Sequence, residues 1–241
     1  MLQKALAYLV GLKDNKTYEV DGKVFSDNRL YMVEAPIYRR ETLEFGSLDA
    51  IVQMIKRELV DYEDLAYPLF VEVESFNRVR TFTRPDYPEQ KRIFPYTAVC
   101  RDANFKEGWR NQQEAIIELK SRFIPTHDTE YLIDLISRVS NDEGIKSEDN
   151  GVTQTVTVKK GVSLAQSEAV KPRVSLKPFR TFREVPQPES EFILRLDENG
   201  RIGLFEADGG IWKMDAKDNI ANFLNERLAD EVENRQVAIM V

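Results

Sequence analysis

Five residues of alternating type, Phe76, Arg78, Arg80, Phe82 and Arg84, offer the most specific chemistry in the chain. In an extended segment every second side chain falls on one face, so the spacing predicts all five on one side. Interleaved rings and guanidiniums suit single-stranded nucleic acid, because rings stack on bases and the cations follow phosphate. A plainer outcome stands beside this one. Glu72 and Glu74, on the preceding strand, would neutralise the arginines while Phe82 packs under a neighbour. A three-residue loop between the strands would set Glu74 opposite Arg80 as an attractive cross-strand pair.

The familiar catalytic constellations are missing. His127 is the one histidine, and its place at a helix start after Pro125-Thr126 needs no catalytic explanation. A general base also needs a placed partner. Cys100 is the one cysteine, with no nucleophile signature around it, so an intrachain disulfide and a cysteine-built zinc site are both excluded. No G-x-S-x-G, G-x-x-x-x-G-K-[ST] or G-x-G-x-x-G occurs, and Asp208-Gly209-Gly210 reads as a hairpin turn. Pro85-Asp86 followed by Glu89-Gln90-Lys91 imitates the acid and acid-x-lysine arrangement of Mg²⁺-dependent nucleases. Those enzymes take the two parts from separate segments, with the lysine motif on a core strand. Here both lie in one proline-broken loop. The expectation is no catalytic residue, no metal and no cofactor.

Composition narrows the classes further. Of the 241 residues 42% are hydrophobic and 31% charged, with 13 phenylalanines, which is the make-up of a folded chain with aromatic cores. The formal net charge of −7 works against binding a polyanion over the whole surface, though a local basic face could overrule it. No run approaches the ~20 apolar residues of a membrane span. Met1–Val10 reads as a short amphipathic helix (Leu2, Leu6, Leu9, Val10) that lacks the basic start and cleavage site of a signal peptide. With one free thiol in addition, the expected location is the cytoplasm, with no membrane partner.

The elements that must position these residues follow from turns, caps and periodicity. Asp21-Gly22 between Tyr18-Glu19-Val20 and Lys23-Val24-Phe25 predicts a hairpin. Ser47 caps a helix whose stripe is Ile51, Val52, Ile55 and Leu59. Leu69–Thr83 is a strand pair turning near Phe76-Asn77, and Arg92–Val99 is a further strand. Trp109, Gln113, Ile116, Ile117, Lys120 and Phe123 trace a helix ended by Pro125. Asp128 caps the next, with Leu132, Ile133, Leu135, Ile136 and Val139 inward and Gly144 closing it. The polar stretch 144–150 is the candidate boundary. Beyond it, strands are expected around Val152–Val158, over Val174–Val185, Phe192–Leu196 and Ile202–Ala207, and in Ile211-Trp212-Lys213-Met214. Trp212 is expected to be buried there. Asp215 caps a last helix, with Asp218 at the capping-box position, and Gln236–Val241 joins a sheet. The predicted fold is α+β: mixed antiparallel sheets with several amphipathic helices and a β-rich C-terminal half. It is divided as 1–145 and 146–241, or built as one integrated domain.

The chain also carries stretches typical of one family. Phe179-Arg180-Thr181-Phe182, Pro186-Gln187-Pro188-Glu189-Ser190-Glu191-Phe192 and Leu204-Phe205-Glu206-Ala207-Asp208-Gly209-Gly210-Ile211-Trp212-Lys213 resemble the YfdQ-like proteins of phages and prophages. Ser47-Leu48 and Val71-Glu72-Val73-Glu74-Ser75 fit the same pattern. The resemblance implies a phage origin and brings no assigned catalytic residue. Three functions are then expected to compete. The first is a non-catalytic homo-oligomer that assembles with itself as a ring, shell or scaffold. The second is a single-strand-binding accessory of phage replication or recombination, using Phe76 to Arg84. The third is an enzyme or anti-defence protein without a recognisable motif.

Overall fold

The computed structural model describes residues 42–61, 68–84, 95–102, 105–138, 154–160, 164–197 and 199–241, with Gln3, 17–20, 23–26 and 148–149. The chain separates into two compact units, Met1–Arg40 and Glu41–Val241. In the first unit β1 (Thr17–Val20) and β2 (Lys23–Ser26) run antiparallel, with Val20 facing Lys23. That pairing is the expected hairpin, and the expected turn residues Asp21-Gly22 lie outside the described residues. The expected Met1–Val10 helix lies outside the described residues apart from Gln3.

The second unit is an α+β body. In chain order it contains β3 (Leu43–Phe45), α1 (Leu48–Asp61), β4 (Leu69–Ser75), β5 (Arg78–Phe82), β6 (Tyr96–Val99), β7 (Gly108–Arg110), α2 (Gln112–Arg122), β8 (Phe123–Ile124) and α3 (His127–Arg138). There follow β9 (Glu148–Asp149), β10 (Gln154–Lys160), β11 (Leu164–Val170), β12 (Arg173–Pro178), β13 (Ser190–Leu196), β14 (Ile202–Glu206), α4 (Trp212–Arg227), α5 (Ala229–Glu233) and β15 (Val237–Met240). The first sheet has the order β15-β4-β5-β6-β3 and the second β7-β14-β13-β12-β8, while β11-β10-β9 make a smaller one. A division near residue 146 does not describe this body. Strands β7 and β8, from before that point, complete the second sheet, and β15 from the C-terminus pairs in parallel with β4.

Each large sheet has its own core. In the first, Val71, Val73, Val79, Tyr96 and Ala98 face the helices, where Ile51, Val52 and Ile55 of α1 and Ile220, Ala221 and Leu224 of α4 meet them. The Ser47 hydroxyl accepts from the Ala50 amide at 3.2 Å, which is the expected cap. In the second sheet, Val174, Leu176, Phe192, Leu194, Leu196, Ile202 and Leu204 face Ala115 and Leu119 of α2 and Leu132, Leu135 and Ile136 of α3.

Several expected boundaries move, each for a local reason. The Asn111 side chain accepts from the Glu114 amide and Glu114 accepts in return from Asn111, a capping box that starts α2 at Gln112 and leaves Trp109 in β7. At α3 the Thr126 hydroxyl accepts from the Thr129 amide at 3.1 Å, while Asp128 reaches across to β12, where it accepts from Ser175 N at 2.8 Å. Helix α4 begins at Trp212 and not at Asp215. Gly209 and Gly210, at φ 64 and 83, turn the chain directly into it, so no strand forms over 211–214. Strand β12 stops at Pro178 instead of running to Val185. Strand β11, Leu164–Val170, was not among the expected ones.

Candidate functional site

The outer face of the first sheet holds most of the residues that the alternation singled out. Val79 and Thr81 are buried toward the helices, so Arg78, Arg80 and Phe82 share the opposite face, and Arg84 is exposed beyond the strand. Phe76 departs from that line. It lies in the turn, and its ring stands against Trp212 with centroids 4.8 Å apart. The turn holds two residues, Phe76-Asn77, and a bulge between Val73 and Ser75 absorbs the third, so Glu72 and not Glu74 sits opposite Arg80. Arg80 Nε is 2.6 Å from Glu72 Oε2 and 3.7 Å from Glu74 Oε2, and Arg78 Nε is 3.3 Å from Glu74 Oε2. The Glu72 hydrogen bond, helped by the charges of Glu72 and Glu74, holds the Arg80 guanidinium above its ordinary pKa. Phe82 stacks on Phe70 across the strands at 5.2 Å and 17°. The face is laced by its own ion pairs and ring contacts.

A second constellation is buried where the link from β12 to β13 crosses toward the first sheet. Arg180 is only 2% exposed. Its Nη1 donates to Glu206 Oε1 at 2.7 Å and its Nη2 to the Ser190 hydroxyl, while its guanidinium carbon lies 4.0 Å from the Trp212 ring centroid and 5.6 Å from that of Phe192. Nε has no partner among the described residues. Burial pushes the Arg180 pKa below the ordinary arginine value, opposed by the charges of Glu206 and Asp208. Trp212 adds an Nε1–H bond to Glu206 Oε2 at 3.2 Å. For Asp208, burial works upward. The Ser190 hydroxyl, the Gly210 amide, the Arg180 charge and the Trp212 amide outweigh it and leave the carboxyl below its usual range.

The rest of the link, 179–189, is tied down residue by residue. The Gln187 side chain accepts from the amides of Arg180 and Thr181 at 2.9 and 3.1 Å and donates to the carbonyls of Phe182 and Val185. Thr181 donates to the Phe76 carbonyl, and Glu184 accepts from Leu48 N, the first amide of α1, at 2.8 Å. Phe182 and Val185 enter the core of the first sheet, whereas Phe192, just beyond, belongs to that of the second. This arrangement positions and joins, because its polar atoms, Arg180 Nε apart, are spent on backbone and on one another. None of these roles was read from the sequence. The visible signals were the second Arg-Thr-Phe and the prolines 178, 186 and 188 around it, which mark an irregular link.

The remaining candidates stay apart. Cys100 is buried. The His127 side chain is largely exposed, with Nδ1 3.6 Å from Asp128 Oδ1. The acid-and-lysine segment 85–91 lies outside the described residues. A cavity of about 250 Å³ is lined by Ser47, Cys100, Arg101, Asp102, Arg183 and Glu184 among others, a mixture of both signs. Among the described residues no group of three His, Cys, Asp or Glu side chains is placed to hold a metal, and no helix is long and apolar enough to cross a membrane. Comparison with family models, with curated proteins and with solved structures finds no match.

Proposed function

We propose that this is a non-catalytic phage or prophage protein that works in the host cytoplasm by self-assembly, copies of the chain docking on one another as a ring, shell or scaffold. One observation carries the reading. Met1–Arg40 is one of two compact units of the chain, and apart from Gln3 its described residues form a hairpin of four-residue strands. A two-stranded hairpin is marginal in water, and units of ~40 residues need a staple or a partner. The chain has one cysteine, so no intrachain disulfide can supply the staple. The surface of a neighbouring copy completes the unit.

Removing residues 1–40 should lower the number of chains per particle, the measured mass divided by that of one chain, while the melting transition of the remaining body persists. An unchanged number of chains would remove this observation from the case. The single-strand-binding alternative has less support, since Arg78 and Arg80 already face Glu72 and Glu74 at ion-pair distance.

A further inference from the structure

We infer that the outer face of the second sheet, around Trp109, Phe205 and Ile193, is the surface on which a second copy of this chain docks, the same face on each copy. The inference rests on the self-assembly reading and adds the place. Along β13, Phe192, Leu194 and Leu196 are buried against α2 and α3, so Glu191, Ile193 and Arg195 fall on the other side. The register puts Phe205 opposite Ile193 and Trp109 opposite Gly203, which gathers the three apolar side chains on that outer side.

Gly203 is what lets the rings sit there. A Cβ at Gly203 would come within 2.7 Å of the Phe205 ring and 3.1 Å of the Trp109 ring. The two rings close over the bare backbone edge-to-face, centroids 5.7 Å apart. Trp109 nevertheless remains 42% exposed, a large ring held in place with much of its surface in water. Such a ring is the kind of anchor that dominates protein interfaces.

The charges around the patch select the occupant. Arg173 and Lys177 line β12, and Glu191 and Glu189 lie beside them, at 2.8 and 3.1 Å respectively. Arg201, at the opposite rim, pairs with Asp197 at 2.6 Å. Adjacent bands of opposite sign can face each other when the same surface meets itself across a two-fold axis. The balance leaves little net field to draw a polyanion. The first sheet differs in exposure, since its outer rings, Phe70 and Phe82, are partly buried while Trp109 stands exposed.

The test is the mass of full-length protein in solution at tens of micromolar for wild type, Trp109→Glu, Trp109→Phe and Arg173→Glu, each with its melting curve. The expected result is at least a twofold fall in mass for Trp109→Glu and Arg173→Glu and no fall for Trp109→Phe. If Trp109→Glu does not fold, Arg173→Glu decides alone, being a change at an exposed side chain. Retained mass in folded Trp109→Glu and in Arg173→Glu overturns the docking face but leaves self-assembly standing, whereas a monomeric wild type overturns both. Binding of a single-stranded oligonucleotide at ~150 mM salt that is lost in Trp109→Glu would overturn the second copy as occupant in favour of nucleic acid.

Discussion

Arg80-Thr81-Phe82 and Arg180-Thr181-Phe182 place the same three residues in two different settings. On β5 the alternation of a strand divides them, so Thr81 is buried while Arg80 and Phe82 stay on the outer face. In the link after β12 no such alternation operates, and all three are buried. The guanidiniums respond in opposite directions. Arg80, paired with Glu72 near water, is held above its ordinary pKa, whereas burial pushes Arg180 below it. An arginine next to an acid is therefore not one kind of feature. At the surface it decorates a sheet, and in the interior it joins two cores through charge, hydroxyl and ring contacts together.

The largest expected effect separates the two arginines. Arg180→Ala should cost about 3–5 kcal/mol in thermal or denaturant unfolding, since it leaves Glu206 and Ser190 without their buried partner. Equal losses for Arg180→Ala and Arg80→Ala would break the comparison. Trp212→Ala should be of similar size, about 3–5 kcal/mol, because the indole is 5% exposed and carries contacts to Arg180 and Phe76. If Trp212 fluorescence were freely quenched by iodide in a Trp109→Phe background, its packing role would be wrong.

Gln187→Leu should cost about 1–3 kcal/mol or more, as it leaves buried amides and carbonyls of the link unsatisfied. A neutral result in the melting curve would show that the link holds its course without that side chain.

Acid should weaken the body through the same contacts. For Asp128, burial works upward but is outweighed by the Ser175 amide, the Lys171 ammonium and His127, so its carboxyl, like that of Asp208, lies below the usual range. A carboxyl lowered by folding contributes its full stability above its unfolded pKa, near ~4, and loses it as the pH falls through the folded value. Melting temperature should therefore drop below about pH 4, and Asp128→Asn should flatten that drop while lowering stability at neutral pH. The same pH slope in the variant would assign the effect elsewhere. The smallest expected change is Arg80→Ala, at most about 1 kcal/mol, as for other partly exposed ion pairs.

What could be read from the sequence was local. The Ser47 cap, the hairpin of β1 and β2 and the stripe on α1 all follow from neighbours within a few residues. The periodicity puts Trp109 in a helix because it runs on through Asn111, and the capping box that breaks it acts through geometry. Strand β11 reads Leu-Ala-Gln-Ser-Glu-Ala-Val, with too few branched or aromatic residues to announce itself, and it is held by pairing with β10. The parallel pairing of β15 with β4 and the course of residues 179–189 between two cores depend on contacts between residues far apart in the chain. Of the candidate site, Arg78, Arg80 and Phe82 were placed on one face, while the bulge that chose Glu72 over Glu74 and the ring contact that took Phe76 away were not visible.

Self-assembly is tested most directly by the mass of the full-length protein in light scattering at tens of micromolar. The chain weighs 27.9 kDa, and a self-assembling protein should show a defined multiple of that mass. A single species at the mass of one chain, unchanged on concentration, would contradict it.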